Sequence, residues 1–180
     1  MLSDYVMRTR LALRDEGWTE CEELIWLKPT SPPLGSTHRP RRSWESILWF
    51  AKTGKPYCNL TACGRDSSRI GFVGGLRFGV GPESPHSKGQ SMTAKNGVSR
   101  CSDVFVAGVG ENEGGIDHPA MFPVSLADQL ISTFSREGDL ICDPFCGSGS
   151  SLAAAKHLGR DFRGFDVSRK YVKMALQRLA

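Results

Sequence analysis

Apolar positions recur with helical spacing at the two ends of the chain, and denser apolar runs with strand-like character lie between them. Near the start, Val6, Leu11 and Leu13 gather toward one side of a 3.6-residue repeat that closes on Gly17, predicting a helix from Ser3 or Asp4 to Glu16 with a glycine cap. CEELIWLK (Cys21 to Lys28) then reads as a strand stopped by Pro29. WESILWFAKTG (from Trp44) is bulky enough for another strand, and GKPYCN (Gly54 to Asn59) for a short partner that turns back. From Gly64 to Gly115 the periodicity is poor, and glycines, serines and charges are scattered, as in an irregular insertion with room for short hairpins. Order returns at HPAMFPVSLADQLISTFS, where Leu126, Leu130 and Ile131 mark a helix face begun near Pro123 or Ser125. The strand DLICDPF, a glycine turn, the helix SSLAAAKHLG, the strand FRGFDV and the helix SRKYVKMALQRLA follow. Strand, helix, strand and helix at that spacing make a βαβ unit of a parallel α/β sheet.

Composition narrows the class. With 180 residues and 39% hydrophobic content the chain supports one core, with an irregular insertion. No run approaches the roughly 18 apolar residues of a membrane span, and MLSDYVMRTR lacks the apolar centre of a secretory signal, so a cytoplasmic location is the expectation. The six cysteines form no C-x-x-C pair and read as reduced thiols rather than disulfides or zinc ligands, two of them, Cys142 and Cys146, in and beside a buried-looking strand. The net charge of +4 is mild. Its distribution is less so: Lys28, Arg39, Arg41, Arg42, Lys52 and Lys55 face a single acid, Glu45, in that stretch. The cluster Arg39, Arg41 and Arg42 sits in a proline- and hydroxyl-rich loop that suits contact with phosphates and equally suits a solvated surface.

The chemistry concentrates late in the chain. In DPFCGSGSS, Asp143 to Ser151, Gly147 and Gly149 permit a tight turn and close backbone approach at a helix N-terminus, where free N–H groups favour an anionic group. Asp166 ends the next strand about twenty residues on, a position from which an acid accepts hydrogen bonds from a ribose diol. A lone G-x-G is often only a turn; the turn together with the strand-end acid points to a nucleoside ligand.

HPAMFPVSLADQLI, DLICDPFCGSGSS and FRGFDVSRKYV, in this order, strongly resemble the site-specific DNA amino-methyltransferases that modify the exocyclic amine of adenine or cytosine, in the permuted class whose cofactor-binding half follows the catalytic half. LALRDEGW, LIWLKP and WESILWFAKTGK match the same family upstream. The resemblance implies an α/β, Rossmann-like S-adenosylmethionine-dependent methyltransferase fold. It implies that Asp143, Pro144, Phe145, Gly147, Ser148 and Gly149 lie against the methionine part of S-adenosylmethionine and that Asp166 holds the ribose hydroxyls. His118, Pro119, Phe122 and Pro123 match the segment leading into the helix that covers the cofactor. Ser150 and Ser151 stand where two threonines are usual, a change of small consequence.

One family signature is absent: a loop of Asp, Asn or Ser followed by Pro, Pro and an aromatic, which accepts hydrogen bonds from the target amine. The nearest string, Ser31 to Pro33, is followed by Leu34 and comes after the LIWLKP strand, so it reads as a rigid turn. In the resembled fold the strand bearing that loop lies between the LIWLKP strand and the glycine-turn strand, so two strand edges are expected to face a gap. The fold is accordingly expected to be incomplete: residues 1–63 as the downstream part of the catalytic half, 64–115 as an irregular target-recognition insertion, and 116–180 as the cofactor-binding half. The insertion is nearly neutral, six cations against five acids, and a flexible linker is its plainer reading. The expected function is methyl transfer to an amine in double-stranded DNA, with restriction-modification as its setting. The catalytic loop would come from another segment or a second chain; the alternative is a silent module that binds DNA or a partner.

Overall fold

The first helix, α1 (Tyr5–Asp15), ends where Gly17 takes φ +84°, and the N–H groups of Gly17 and Trp18 close back on Arg14 O and Leu13 O. This is the left-handed glycine stop that the sequence signals. The structure is a computed structural model that describes residues 4–29, 38, 40–64, 98–109 and 122–180. Strand β1 (Thr19–Leu27) follows and pairs antiparallel with β2 (Trp44–Ala51), Leu24 opposite Ile47 and Leu27 opposite Trp44, with a register shift between Glu20 and Glu22. Leu24 and Trp26, two apart, are buried, as a strand with one covered face requires. Arg10 of α1 reaches Glu23 at 2.6 Å, and its hydrogen bond, with a further one from Ser46, holds the Glu23 carboxyl below its ordinary pKa.

The second edge of β1 is not open along its whole length. A three-residue strand, β3 (Val104–Val106), pairs with it in parallel, Ile25 beside Val104, and the Trp26 indole N–H donates to Ala107 O at 3.0 Å. This strand lies inside the stretch whose sequence reads as irregular; Phe105 supplies its anchor, buried among apolar neighbours.

Helix α2 (Val124–Phe134) joins this sheet to the rest. Phe134 stands 4.6 Å from the Trp49 ring and 6.5 Å from Phe105. Ala127 and Ile131 pack into a core with Ala154 and Ala155 of α3 (Ser150–His157), backed by Ile141 and Phe162. Burying a side chain such as Ile131 there contributes about 1.5–3 kcal/mol. GKPYCN does not turn back as a strand. Pro56 offers no ladder donor, the Asn59 N–H goes to Thr133 O at 2.7 Å, and Tyr57 lies under the Arg136 guanidinium, so the segment docks on the end of α2.

The expected βαβ unit is present: β4 (Leu140–Asp143) and β5 (Asp161–Gly164) pair in parallel through the crossover helix α3, and α4 (Arg169–Leu179) follows. Among the described residues β4 pairs with β5 alone. Its residues Leu140, 56% exposed, and Cys142 are uncovered, so the strand is less buried than its apolar sequence reads.

By internal packing the chain divides into two units, Met1–Asn59 with Asp103–Ala180, and Leu60–Ser102. In the second, the Cys101 N–H donates to Leu60 O at 2.6 Å and the Cys63 N–H to Cys101 Sγ at 3.1 Å. None of the six cysteines is joined in a disulfide. No helix among the described residues is long and apolar enough to cross a membrane.

Candidate cofactor site

Parallel pairing brings the carboxyl ends of β4 and β5 to one side, where an open α/β sheet places its ligands. Asp143 ends β4, opposite Gly164, and Asp166 stands two residues beyond Gly164. The main chain continues past the strands, with the Phe165 N–H bonded to Asp143 O and the Cys146 N–H to Phe165 O, both at 2.9 Å. The turn between β4 and α3 is thereby strapped to the segment that carries Asp166.

Both carboxylates are built into that turn. Asp166 accepts from the Gly147 N–H at 3.0 Å through one oxygen and from the Ser168 N–H at 2.7 Å through the other. Asp143 accepts from the Phe145 N–H at 2.9 Å and, on its second oxygen, from the Ser151 hydroxyl. An ionised carboxylate offers about four lone-pair directions. Each acid therefore keeps acceptor capacity for a ligand hydroxyl or ammonium group after its own loop is satisfied.

Close packing fixes the backbone of the cradle. Gly149 takes φ +83°, and a Cβ there would lie 3.0 Å from Ala175 Cβ on α4. Gly164 is tighter still, since a Cβ would lie 2.4 Å from Leu152 Cδ1 and 3.0 Å from Cys146 Sγ. The Cys146 thiol is pushed above its ordinary pKa by burial and by the charges of Asp143 and Asp166, which keeps it a neutral packing group. Phe145, 84% exposed, and Phe165 leave an apolar rim beside the acids.

Of the residues expected at the site, Asp143, Pro144, Phe145, Gly147, Ser148, Gly149 and Asp166 meet at this turn, with Ser148 buried. Pro123 is the residue at which α2 begins and is buried, Phe122 is partly exposed beside it, and α2 packs on α3, which starts at the turn. His118, Pro119, Arg39 and Ser31 to Pro33 lie outside the described residues. Arg41 and Arg42 are exposed at the entrance to β2, on the sheet that does not carry the turn. Gly164 and Ser151 were not among the expected site residues. A glycine inside a strand pattern is the signal for the first; the second was read only as an exchange of small consequence for a threonine.

A family model of N6 and N4 methyltransferases, described as DNA methylase, matches residues 3–177. The chain belongs to this DNA methylase family. It is 28% identical over 174 residues to the Type II methyltransferase M2.DpnII of Streptococcus pneumoniae, covering 94% of this chain and 54% of that protein. Against M.Cfr9I of Citrobacter freundii it is 26% identical over 172 residues, covering 96% and 48%. The chain thus spans about half the length of the curated relatives it matches. Among solved structures, PvuII DNA methyltransferase (cytosine-N4-specific) aligns with a TM-score of 0.70 at 21% identity, over 99% of this chain and 57% of that one, a likeness of fold. A putative DNA modification methylase of Thermus thermophilus, TTHA0409, solved with S-adenosyl-L-methionine, aligns at 0.58 and 25% identity over 100% and 60%.

Proposed function

We propose that this chain forms the cofactor-binding and DNA-recognising portion of an enzyme that methylates the exocyclic amine of adenine or cytosine in double-stranded DNA. The observation that carries the reading is the pair of strand-end carboxylates, Asp143 and Asp166, locked around a glycine turn at the carboxyl edge of a parallel strand pair. That arrangement fits S-adenosylmethionine. Asp166 would hold the ribose hydroxyls, the turn from Asp143 to Gly149 would meet the methionine part, and His118, Pro119, Phe122 and Pro123 would cover the ligand. When bound, the cofactor supplies an electrophilic methyl group on a sulfonium. The chain's own residues orient that ligand and, along the apolar rim of Phe145 and Phe165, keep water from part of it. Arg39, Arg41 and Arg42 would meet DNA phosphates, and residues 64–115 would read the bases.

The acceptor side of the reaction is supplied from elsewhere. An aromatic amine is a poor nucleophile until hydrogen-bond acceptors polarise it, and a base must leave the duplex to reach them. No Asp, Asn or Ser followed by Pro, Pro and an aromatic occurs in these 180 residues. Among the described residues one edge of β4 is unpaired, and this edge with the uncovered Leu140 and Cys142 supports a further strand there, from another segment or a second chain, bringing that loop beside the cofactor. Radiolabelled methyl incorporation into mixed-sequence DNA tests this. The expected outcome is none from the 180-residue chain alone and restored transfer on adding a fragment with the loop and its strand. Robust transfer by the chain alone would overturn the division of labour.

A further inference from the structure

The crossover helix α3 opens with two serines, and the structure gives them different partners. Ser150, buried, accepts at 3.1 Å from the Arg178 guanidinium of α4. Ser151, one residue on and therefore turned by about 100° around the helix axis, directs its hydroxyl back across the glycine turn to Asp143. The first contact ties helix to helix. The second ties the helix start to a carboxylate of the cradle, eight residues earlier in the chain.

The remaining contacts of Asp143 say what that tie does. Its other oxygen already accepts from the Phe145 N–H, so the two bonds together fix both the rotation and the tilt of the carboxylate before any ligand arrives. An acid held by one backbone N–H alone swings about that bond. A second donor removes the swing, and a ligand then meets a preorganised acceptor instead of ordering one at its own cost. A threonine at this place presents the same hydroxyl, which accounts for Ser151 being a tolerable exchange for it.

We propose that Ser151 is a positioning residue for cofactor binding: its hydroxyl holds Asp143 in the orientation that receives the ammonium group at the amino-acid end of the ligand, while Ser150 serves only the packing of α3 on α4. The assignment rests on the cofactor reading above. Calorimetric titration of the 180-residue chain with S-adenosylmethionine tests it, folding being checked by thermal melts. Ser151→Ala weakens binding about 5- to 20-fold, less than the loss of a direct hydrogen bond to a charged group because the hydroxyl acts through Asp143 and not on the ligand, and Ser151→Thr stays within about 2-fold of the parent. Ser150→Ala lowers the melting temperature and leaves the affinity within about 2-fold. In a double-mutant cycle with Asp143→Asn, the two losses are strongly non-additive because Ser151 acts through that acid. If Ser151→Ala does not fold, Ser151→Thr and Ser151→Val, nearly equal in volume and different in the hydroxyl, make the same comparison, with Thr binding the tighter. Equal affinities for parent and Ser151→Ala, for Thr and Val, or additive losses with Asp143→Asn, each overturn the positioning role. Absence of heat from the parent chain overturns the cofactor reading instead.

Discussion

The two sheets differ in how far each completes itself. β1 and β2 run nine and eight residues in antiparallel register, and β3 covers part of the remaining edge of β1. β4 and β5 run four residues each, pair in parallel, and, among the described residues, leave an edge and much of a face uncovered. The glycine turn, Asp143 and Asp166 all belong to the second. Length of strand is therefore not what the site requires. It requires two parallel strand ends side by side, a close-packed turn between them, and a helix start. A two-stranded parallel sheet is marginal by itself; here α2, α3 and α4 support it through Ala127, Ile131, Ala154, Ala155 and Ala175.

The contrast is broken most severely at Gly164. Replacing it with Val places branched carbon where even a Cβ lies 2.4 Å from Leu152 and 3.0 Å from Cys146, and overpacking of this kind costs about 1–3 kcal/mol or more. Chemical denaturation of Gly164→Val should show that loss. A stability equal to the parent would mean that the β4–β5 packing is looser than described. Gly149→Ala comes next. Its φ of +83° costs an alanine about 1–2 kcal/mol, and the 3.0 Å approach to Ala175 adds to that, so both the melting temperature and cofactor affinity should drop. A fall in neither contradicts the close approach of the turn to α4.

A smaller effect separates the sheets by pH. In the first sheet Glu23, its pKa lowered by Arg10, contributes stability that is present above the unfolded carboxylate pKa, near 4.3, and is lost as pH falls through the lower folded value. The Glu23 side chain is partly exposed and the pair is screened, so its share is well under about 1 kcal/mol. In the turn that follows β4, Cys146, its pKa raised, contributes stability that is present below the unfolded thiol pKa, near 8.5, and is lost as pH rises toward the higher folded value. Melting curves of Arg10→Ala and Cys146→Ala against the parent should diverge from it differently with pH. Arg10→Ala narrows its gap below about pH 4, and Cys146→Ala narrows its gap above about pH 9. Gaps independent of pH in both variants contradict the two shifts.

Most elements were legible because they are long or carry punctuation. Gly17 ended α1, Pro29 followed β1, and the spacing of Leu126, Leu130 and Ile131 announced α2. β3 was not, since three residues leave no room for alternation and Phe105 is its single buried anchor. GKPYCN looked like a strand partner because its apolar residues were visible and the pull of Thr133 O and Arg136 was not. At the site, Asp166 and the glycines could be read from spacing. That the Gly147 N–H bonds Asp166, and that Ser151 reaches Asp143, depend on a turn geometry that no linear pattern specifies.

In this reading the shorter, parallel sheet carries a working cofactor cradle. Titration calorimetry of S-adenosylmethionine into the 180-residue chain and into Asp166→Ala tests it most directly. Specific binding by the parent is expected, with a loss of about 1.5–3 kcal/mol, roughly 10- to 150-fold in Kd, in the variant, as a charge-assisted contact to the ribose hydroxyls is removed. No heat from the folded parent, or equal affinity in the folded variant, would contradict it.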